Sequence, residues 1–267
     1  AQWFVKQGFS APQILAVDLD LGLVLIGDFG DNRMREAVDA DVSLEQPLYR
    51  ETVELLAELA NKPAMAIAPY SLAEYQRELD IFIEWYCPAM GLVPDHEGFT
   101  ALWSELLEPV LAAQANPITV LRDYHAENIM LIEGRKGLSR LGLLDFQDAL
   151  AGHPAYDLVS MLQDARRTVS PEIEAEMLAY YVDLVRPAEG FEAAYHLLGV
   201  QRNLKILGIF TRLWKRDGKP RYRAFQPRVW AYVERSLAHP ALVPAKAWMD
   251  ANIPADKRAS AWAEFAE

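Results

Sequence analysis

The sequence predicts an α/β (α+β) fold with two lobes, a small β-containing N-terminal lobe and a mainly helical C-terminal lobe. Near the start, two short apolar runs flank an acidic turn, as in a β-hairpin. Most of the chain from Leu48 onward instead repeats its apolar residues at helical spacing. We expect residues 1–31 to belong to the N-terminal lobe, and residues 32–267 to form the C-terminal lobe that carries the site.

The opening elements read as the end of a helix followed by a hairpin. AQWFVKQGF is typical of a last helical turn that stops at Gly8. APQILAVD and GLVLIGDFGD are two strands joined by the turn from Asp18 to Gly22. The charged stretch from Asn32 to Pro47 is expected to be a linker or a mobile loop.

The helices are recognised by apolar periodicity and by start signals. Ser71 with Glu74 forms a capping box, and Ser170 before Pro171 is a cap followed by a first helical position. Thr100 is the expected cap of a further helix. The predicted helices cover Leu48 to Asn61, Leu72 to Trp85, Ala101 to Ala113, a stretch from about Tyr156, a stretch from Pro171, Ala193 to Trp214, and short segments after Gln226.

The segment from Thr119 to Ala149 contains the most informative pattern. A short apolar strand is followed by the polar stretch RDYHAEN, then by two apolar runs that enclose the turn residues EGRKG. The sequence therefore predicts a strand, a loop and a hairpin. Asp145 stands where this hairpin ends.

These positions hold the residue types that phosphoryl transfer needs. Asp123 precedes Asn128 by five positions, and the predicted hairpin returns Asp145 beside Asn128. A carboxylate can deprotonate an acceptor hydroxyl, while carboxylate and amide oxygens are ligands for magnesium. We therefore assign Asp123 as catalytic base, and Asn128 and Asp145 as magnesium ligands.

Other interpretations of the same residues are possible. An Asp and an Asn five positions apart occur together by chance, and both are common turn residues. A zinc site of Asp123, His125 and Glu127 is disfavoured because the spacing is not H-E-x-x-H and no second histidine is near in sequence.

LRDYHAENIMLI, LLDFQDA and GHPAYDLVSMLQDAR resemble the aminoglycoside phosphotransferase and choline kinase superfamily, which has a protein-kinase-like fold. Within it, RDYH, DFQDA, YDLVSML and QRNLKILGIF most resemble bacterial anomeric kinases of N-acetylmuramate and N-acetylglucosamine. The resemblance implies an ATP- and Mg2+-dependent phosphotransferase. This sequence departs from the family pattern at two positions. Leu121 stands where a histidine is usual, and Gln147 stands in place of a glycine.

The resemblance also suggests roles for further residues. It implies that Arg122 and Asp157 support the catalytic loop, although Asp157 alone also fits a helix-start residue. It implies that Gly27 to Asp31 form the hinge between the lobes, where Gly27, Asp28 and Phe29 would contact the adenine. Without the resemblance, the same residues are typical of a turn that ends a strand. Candidate substrate-binding residues are His125, Gln147, Asp148, Gln201, Arg202 and Asn203. The last three are equally compatible with a solvated helix face.

Half of the nucleotide clamp is missing from the sequence. It contains neither G-x-G-x-x-G nor G-x-x-x-x-G-K-[ST], and nothing before Gly8 could supply the strand lysine that contacts the phosphates. We expect the N-terminal lobe to be truncated here, with those parts on a preceding segment. The alternative is a nucleotide-binding pseudokinase or regulator.

Composition limits the classes of binding partner and the cellular compartment that we expect. A net charge of −12 argues against nucleic-acid binding, and no apolar run reaches membrane-spanning length. The single cysteine, Cys87, reads as a buried residue in a reducing cytoplasm. A small-molecule substrate is expected. An amino sugar, an aminoglycoside, choline and a homoserine-like amino acid all remain open.

Overall fold

The structure is a computed structural model that describes residues 1–258. The chain forms two compact units. The first unit contains Ala1–Ala68 and Pro117–Pro187, and the second contains Pro69–Asn116 and the chain from Ala188 onward. The lobe boundary that we predict at residue 31 concerns a different division and stays a prediction.

Helical residues outnumber strand residues in both units. In chain order the helices are α1 (Gln2–Lys6), α2 (Met34–Ala40), α3 (Glu45–Ala60), α4 (Leu72–Ile81), α5 (Cys87–Ala89), α6 (His96–Ala113), α7 (Ala155–Leu162), α8 (Pro171–Val185), α9 (Phe191–Lys215), α10 (Gln226–Leu237) and α11 (Val243–Asn252). Within residues 1–258, none of these helices combines the length and the apolar character that crossing a membrane requires.

The strands form antiparallel pairs, all in the first unit. They are β1 (Ile14–Asp18), β2 (Leu23–Ile26), β3 (Ile118–Val120), β4 (Ile129–Leu131), β5 (Leu141–Leu143) and β6 (Leu150–Gly152). β1 pairs with β2, β3 with β6, and β4 with β5. Both predicted hairpins are therefore confirmed. The sequence did not predict β6, whose three residues LAG carry no strand pattern of their own.

The predicted linker between Asn32 and Pro47 is wrong. It contains α2, a 3-10 turn at Val42–Leu44 and the start of α3. Met34 and Val38 are buried one helical turn apart, and Asp41 accepts a hydrogen bond from the Ser43 backbone N–H, which begins the next turn. Two buried residues among many charges gave too weak a periodic signal.

Most of the predicted helix starts are confirmed. Ser71 accepts from the N–H of Glu74, and Ser170 accepts from the N–H of Ile173. Thr100 is wrong as a cap, because α6 begins a full turn earlier with Asp95 as its cap, accepting from Gly98 N–H. The short helices predicted after Gln226 are confirmed as far as residue 258. Residues 259–267 lie outside the described residues.

In the second unit, α9 is the central helix, and α4, α6 and α10 pack against it. The helix predicted to reach Trp85 continues beyond Ile81 as a π-helical turn, Phe82–Tyr86. Gly208 of α9 lies against this turn. A Cβ atom there would come within 2.4 Å of the Ile81 carbonyl oxygen, so only glycine permits the approach. Cys87 is buried, as predicted, and burial raises the pKa of its thiol to about 12.

Candidate active site

The loop after β3 is anchored by a buried carboxylate. Asp157, in the first turn of α7, is completely buried, and its two oxygens accept hydrogen bonds from the backbone N–H groups of Leu121, over 2.6 Å, and Arg122, over 2.9 Å. The Ser160 hydroxyl donates to the Arg122 carbonyl over 3.2 Å. These bonds hold the two residues before Asp123. The backbone that leads into the predicted base is therefore fixed.

A second anchor comes from Tyr124. Its hydroxyl donates to the Thr52 carbonyl of α3 over 2.9 Å. Burial, followed by the negative charge of Asp157, raises the pKa of Tyr124 well above its usual value, so this hydroxyl stays protonated and able to donate. The half-buried Asp123 thus stands between two residues that are tied to α7 and α3.

Asn128 and Asp145 are brought side by side, as the sequence predicts. The Asn128 side-chain Nδ2 donates to the Asp123 carbonyl over 2.9 Å and lies 3.3 Å from Asp145 Oδ2. Pairing of β4 with β5 causes this, since Asn128 precedes one strand and Asp145 follows the other; the Leu144 N–H donates to the Asn128 carbonyl over 3.0 Å. Asp145 has a positive φ of 57°, which turns its exposed carboxylate out of the strand direction.

This pair fits a magnesium ion. Magnesium in nucleotide-dependent enzymes is usually held by one or two side chains and the substrate phosphates, and Asn128 and Asp145 offer an amide and a carboxylate oxygen. Gln147 Nε2 donates to Asp145 Oδ1, which places this candidate substrate residue beside the carboxylate. Among residues 1–258, no three His, Cys, Asp or Glu side chains are grouped as ligands of one metal ion.

A cleft of about 580 Å3 opens at the predicted hinge. Gly27, Asp28 and Phe29 line one part of it, while Met130 of β4 and Leu144 line another. Met130 is two residues after Asn128, and Leu144 is directly before Asp145. The cleft is therefore lined by residues that lie within two positions of the predicted magnesium ligands.

Backbone hydrogen bonding joins the hinge segment to those strands. The Asn32 carbonyl accepts from the Leu131 N–H over 2.7 Å, and Arg33 forms an antiparallel bridge with Met130. Met130 and Leu144 were not among the residues predicted from the sequence. Their signal was available, since each is an apolar residue within two positions of a predicted metal ligand.

A charged network beside the loop also escaped the sequence analysis. Glu127 forms ion pairs with Arg35 of α2 and with Arg166, whose Nε lies 3.3 Å from Glu127 Oε2. Arg166 Nη1 also lies 3.2 Å from His125 Nε2. His125 is buried, with 3% of its surface exposed. Arg35 and Arg166 had no sequence signal, because only folding brings α2 and the turn after α7 to Glu127.

The family follows from a direct comparison. A model of a phosphotransferase enzyme family matches residues 1–195. The chain belongs to the phosphotransferase enzyme family. This confirms the family expected from the three motifs, two of which contain Asp123, Asn128 and Asp145 and the third Asp157.

Relatives of this chain include two bacterial amino-sugar kinases. The chain is 40% identical to the N-acetylmuramate/N-acetylglucosamine kinase of Caulobacter vibrioides over 274 residues, covering 97% of this chain and 74% of that one. It is 34% identical over 241 residues to the N-acetylmuramate/N-acetylglucosamine kinase of Neisseria meningitidis, covering 85% and 70% of the two chains.

Solved structures confirm the predicted fold class. A choline/ethanolamine kinase family protein from Mesorhizobium loti has a TM-score of 0.61 at 15% identity, covering 94% of this phosphotransferase and 81% of that chain. The ADP-bound aminoglycoside phosphotransferase APH(2'')-Ib has a TM-score of 0.52 at 15% identity, covering 90% and 79%. At such identities the likeness concerns the fold.

The remaining candidate residues of the phosphotransferase lie in different surroundings. Asp148 is exposed, and its carbonyl accepts from Arg122 Nη1 over 3.1 Å.

In the second unit Gln201, Arg202 and Asn203 are buried, so the alternative of a solvated helix face is wrong for them. Gln201 Nε2 donates to Glu78 over 3.0 Å, and Asn203 Nδ2 donates to the Gly199 carbonyl over 2.9 Å. Their role in substrate binding stays a prediction.

Proposed function

We propose that this chain is an ATP-dependent kinase that transfers the γ-phosphoryl group to the anomeric hydroxyl of N-acetylmuramate or N-acetylglucosamine. The proposal rests on the contact between Asn128 and Asp145, which the pairing of β4 with β5 brings together. This contact lies beside the loop of Asp123 and close to residues that line the hinge cleft. The amino-sugar part rests on the 40% identity to the Caulobacter vibrioides kinase.

The chain's own residues would act as follows. Asp123 accepts the proton of the attacking sugar hydroxyl, a general-base contribution of roughly 10²–10⁴-fold. Asn128 and Asp145 would hold magnesium, which, when bound, neutralises phosphate charge and orients the transferred group. Gly27, Asp28 and Phe29 would receive the adenine. Asp157 keeps the loop in position through Leu121 and Arg122.

A small-molecule substrate in the cytoplasm completes the proposal. The net charge of −12 supports a small molecule over a nucleic acid, because phosphate backbones are bound by clusters of Lys and Arg. Cys87 is buried as a free thiol and is the single cysteine of the chain, which supports a reducing compartment.

The test is ADP release by the full-length protein with Mg-ATP and, in turn, N-acetylmuramate, N-acetylglucosamine, choline, homoserine and an aminoglycoside. We expect turnover with the two sugars alone. Asp123→Asn should abolish turnover and leave nucleotide binding intact, whereas Asp145→Ala should weaken binding of the nucleotide only when magnesium is present. Asp20→Asn, in the exposed β1–β2 turn, is the matched control.

Turnover by Asp123→Asn would overturn the assignment of the base. Turnover with choline or an aminoglycoside but with neither sugar would move the proposal to that substrate. Binding of ATP without turnover of any acceptor would favour the nucleotide-binding regulator.

A further inference from the structure

The Asn128 amide has one orientation that its surroundings permit. Its Nδ2 faces three acceptors: the Asp123 carbonyl at 2.9 Å, Asp145 Oδ2 at 3.3 Å and His125 Nε2 at 3.4 Å. A rotated amide would direct Oδ1 at those same atoms, and acceptors repel one another. Oδ1 is therefore turned away from them, in the orientation that a metal ligand needs.

The third acceptor depends on the state of the His125 ring. Arg166 Nη1 lies 3.2 Å from His125 Nε2, and a guanidinium can only donate. Nε2 is therefore the acceptor in this contact, with its lone pair directed at Arg166. Asn128 Nδ2, at 3.4 Å, shares this one lone pair with Arg166.

The network around Arg166 keeps the ring in place. Glu127 Oε2 lies 3.3 Å from Arg166 Nε, and the other Glu127 oxygen pairs with Arg35 of α2. His125 is 3% exposed, so its ring is enclosed on most sides. The ring is thus fixed both by packing and by a guanidinium that is itself fixed.

We propose that His125 is a positioning residue, which holds the Asn128 amide so that Oδ1 is presented to the metal, while Arg166 holds His125 in the accepting form. The inference rests on the proposed role of Asn128 as a metal ligand. It differs from the substrate contact predicted for His125 from the sequence. Residues that orient a ligand in this way affect metal affinity typically by about 10–100-fold.

Two substitutions of His125 test the roles of its two ring nitrogens separately. The side-chain amide of Gln reaches the position of Nε2, whereas that of Asn reaches only the position of Nδ1. His125→Gln should therefore keep an acceptor beside Asn128, and His125→Asn should lose it. The two variants have the same functional group, which makes each the control of the other.

The readout is the affinity of the full-length protein–ADP complex for Mn2+, measured from the electron paramagnetic resonance signal of free Mn2+. We expect His125→Asn to raise the Mn2+ Kd by about tenfold or more, and His125→Gln to stay close to wild type. The Kd of ADP without metal, measured by calorimetry, should be unchanged in both. Thermal unfolding checks the fold, and His125→Leu, of similar volume, replaces His125→Asn if that variant does not fold.

A double-mutant cycle tests whether His125 acts through Asn128. Asn128→Ala should weaken Mn2+ binding, and adding His125→Asn to it should weaken binding no further. Independent, multiplying losses would overturn the inference, as would an unchanged Mn2+ Kd in His125→Asn or a wild-type ADP complex that binds no Mn2+. Because no sugar is present, these results stay distinct from a failure of the amino-sugar proposal.

Discussion

Asp157 accepts a hydrogen bond from the backbone N–H of Arg122 over 2.9 Å, and Arg122 has a positive φ of 73°. The left-handed conformation costs a residue with a side chain roughly 1–2 kcal/mol. The second oxygen of Asp157 accepts from Leu121 N–H over 2.6 Å. A buried carboxylate therefore holds a strained backbone directly before the proposed base Asp123.

Asp157→Asn should loosen this loop. The amide has one accepting oxygen, so one of the two N–H groups loses its partner, which costs about 1–3 kcal/mol for a buried donor. We expect a matching fall in the free energy of unfolding in urea, and a kcat that falls by a larger factor than KM changes. Asp183→Asn, an exposed aspartate of α8, is the control. A stable variant with normal kcat would show that Asp157 does not position the loop.

The strain at Arg122 can be measured with a pair of variants. Arg122→Ala and Arg122→Gly both remove the contact of Nη1 with the Asp148 carbonyl, but only glycine adopts a positive φ without cost. The glycine variant should therefore be the more stable of the two in urea by roughly 1 kcal/mol. If alanine is as stable as glycine or more so, the positive φ does not strain the loop.

Local patterns sufficed for the hairpins and for the loop that brings Asn128 to Asp145, since the pairing of β4 and β5 determines that contact. They failed where distant residues meet. Glu127 is surrounded by Arg35 and Arg166, which are far apart in sequence, and β6 exists because it pairs with β3. Gln201, with polar neighbours on α9, was equally compatible with a substrate contact and with a solvated face, yet Glu78 provides it with a buried partner.

Gly142→Ala should weaken nucleotide binding. A Cβ atom at Gly142 would lie 2.6 Å from Cδ2 of Phe29, a contact too short to keep, and Phe29 lines the hinge cleft. The ring must move, and we expect the Kd of ADP to rise by about tenfold, a loss near 1.4 kcal/mol. Calorimetry measures this Kd, and Phe29→Leu in the Gly142→Ala background should restore part of the affinity. Unchanged binding would argue against Phe29 as an adenine contact.

His153 should make stability dependent on pH. Burial lowers the pKa of its imidazole to about 4, so the unfolded chain, with an ordinary pKa near 6.5, binds a proton at a higher pH than the folded chain. Stability from this residue is thus complete above about pH 6.5 and is lost as the pH falls towards 4, by an amount on the order of 2–3 kcal/mol. His153→Asn, whose oxygen can still accept from Ala155 N–H, should flatten that part of the urea-unfolding profile. An equally steep profile would assign the loss to other groups.

Lys205 should stabilise the second unit through Glu78. Glu78 is completely buried, and its oxygens accept from Lys205 Nζ over 2.7 Å, Tyr70 OH over 2.5 Å and Gln201 Nε2 over 3.0 Å. Lys205→Met removes this cation from the buried carboxylate, and breaking a buried ion pair typically costs about 3–5 kcal/mol. Adding Glu78→Gln removes the carboxylate charge and should recover part of this loss. Urea unfolding of the two single variants and the double variant measures the coupling, and purely additive losses would contradict a buried ion pair.

Steady-state kinetics and urea unfolding of Gln201→Leu separate the two roles open to Gln201. A stability loss at constant KM for the sugar makes it a partner of Glu78, and a raised KM without such a loss makes it a substrate contact.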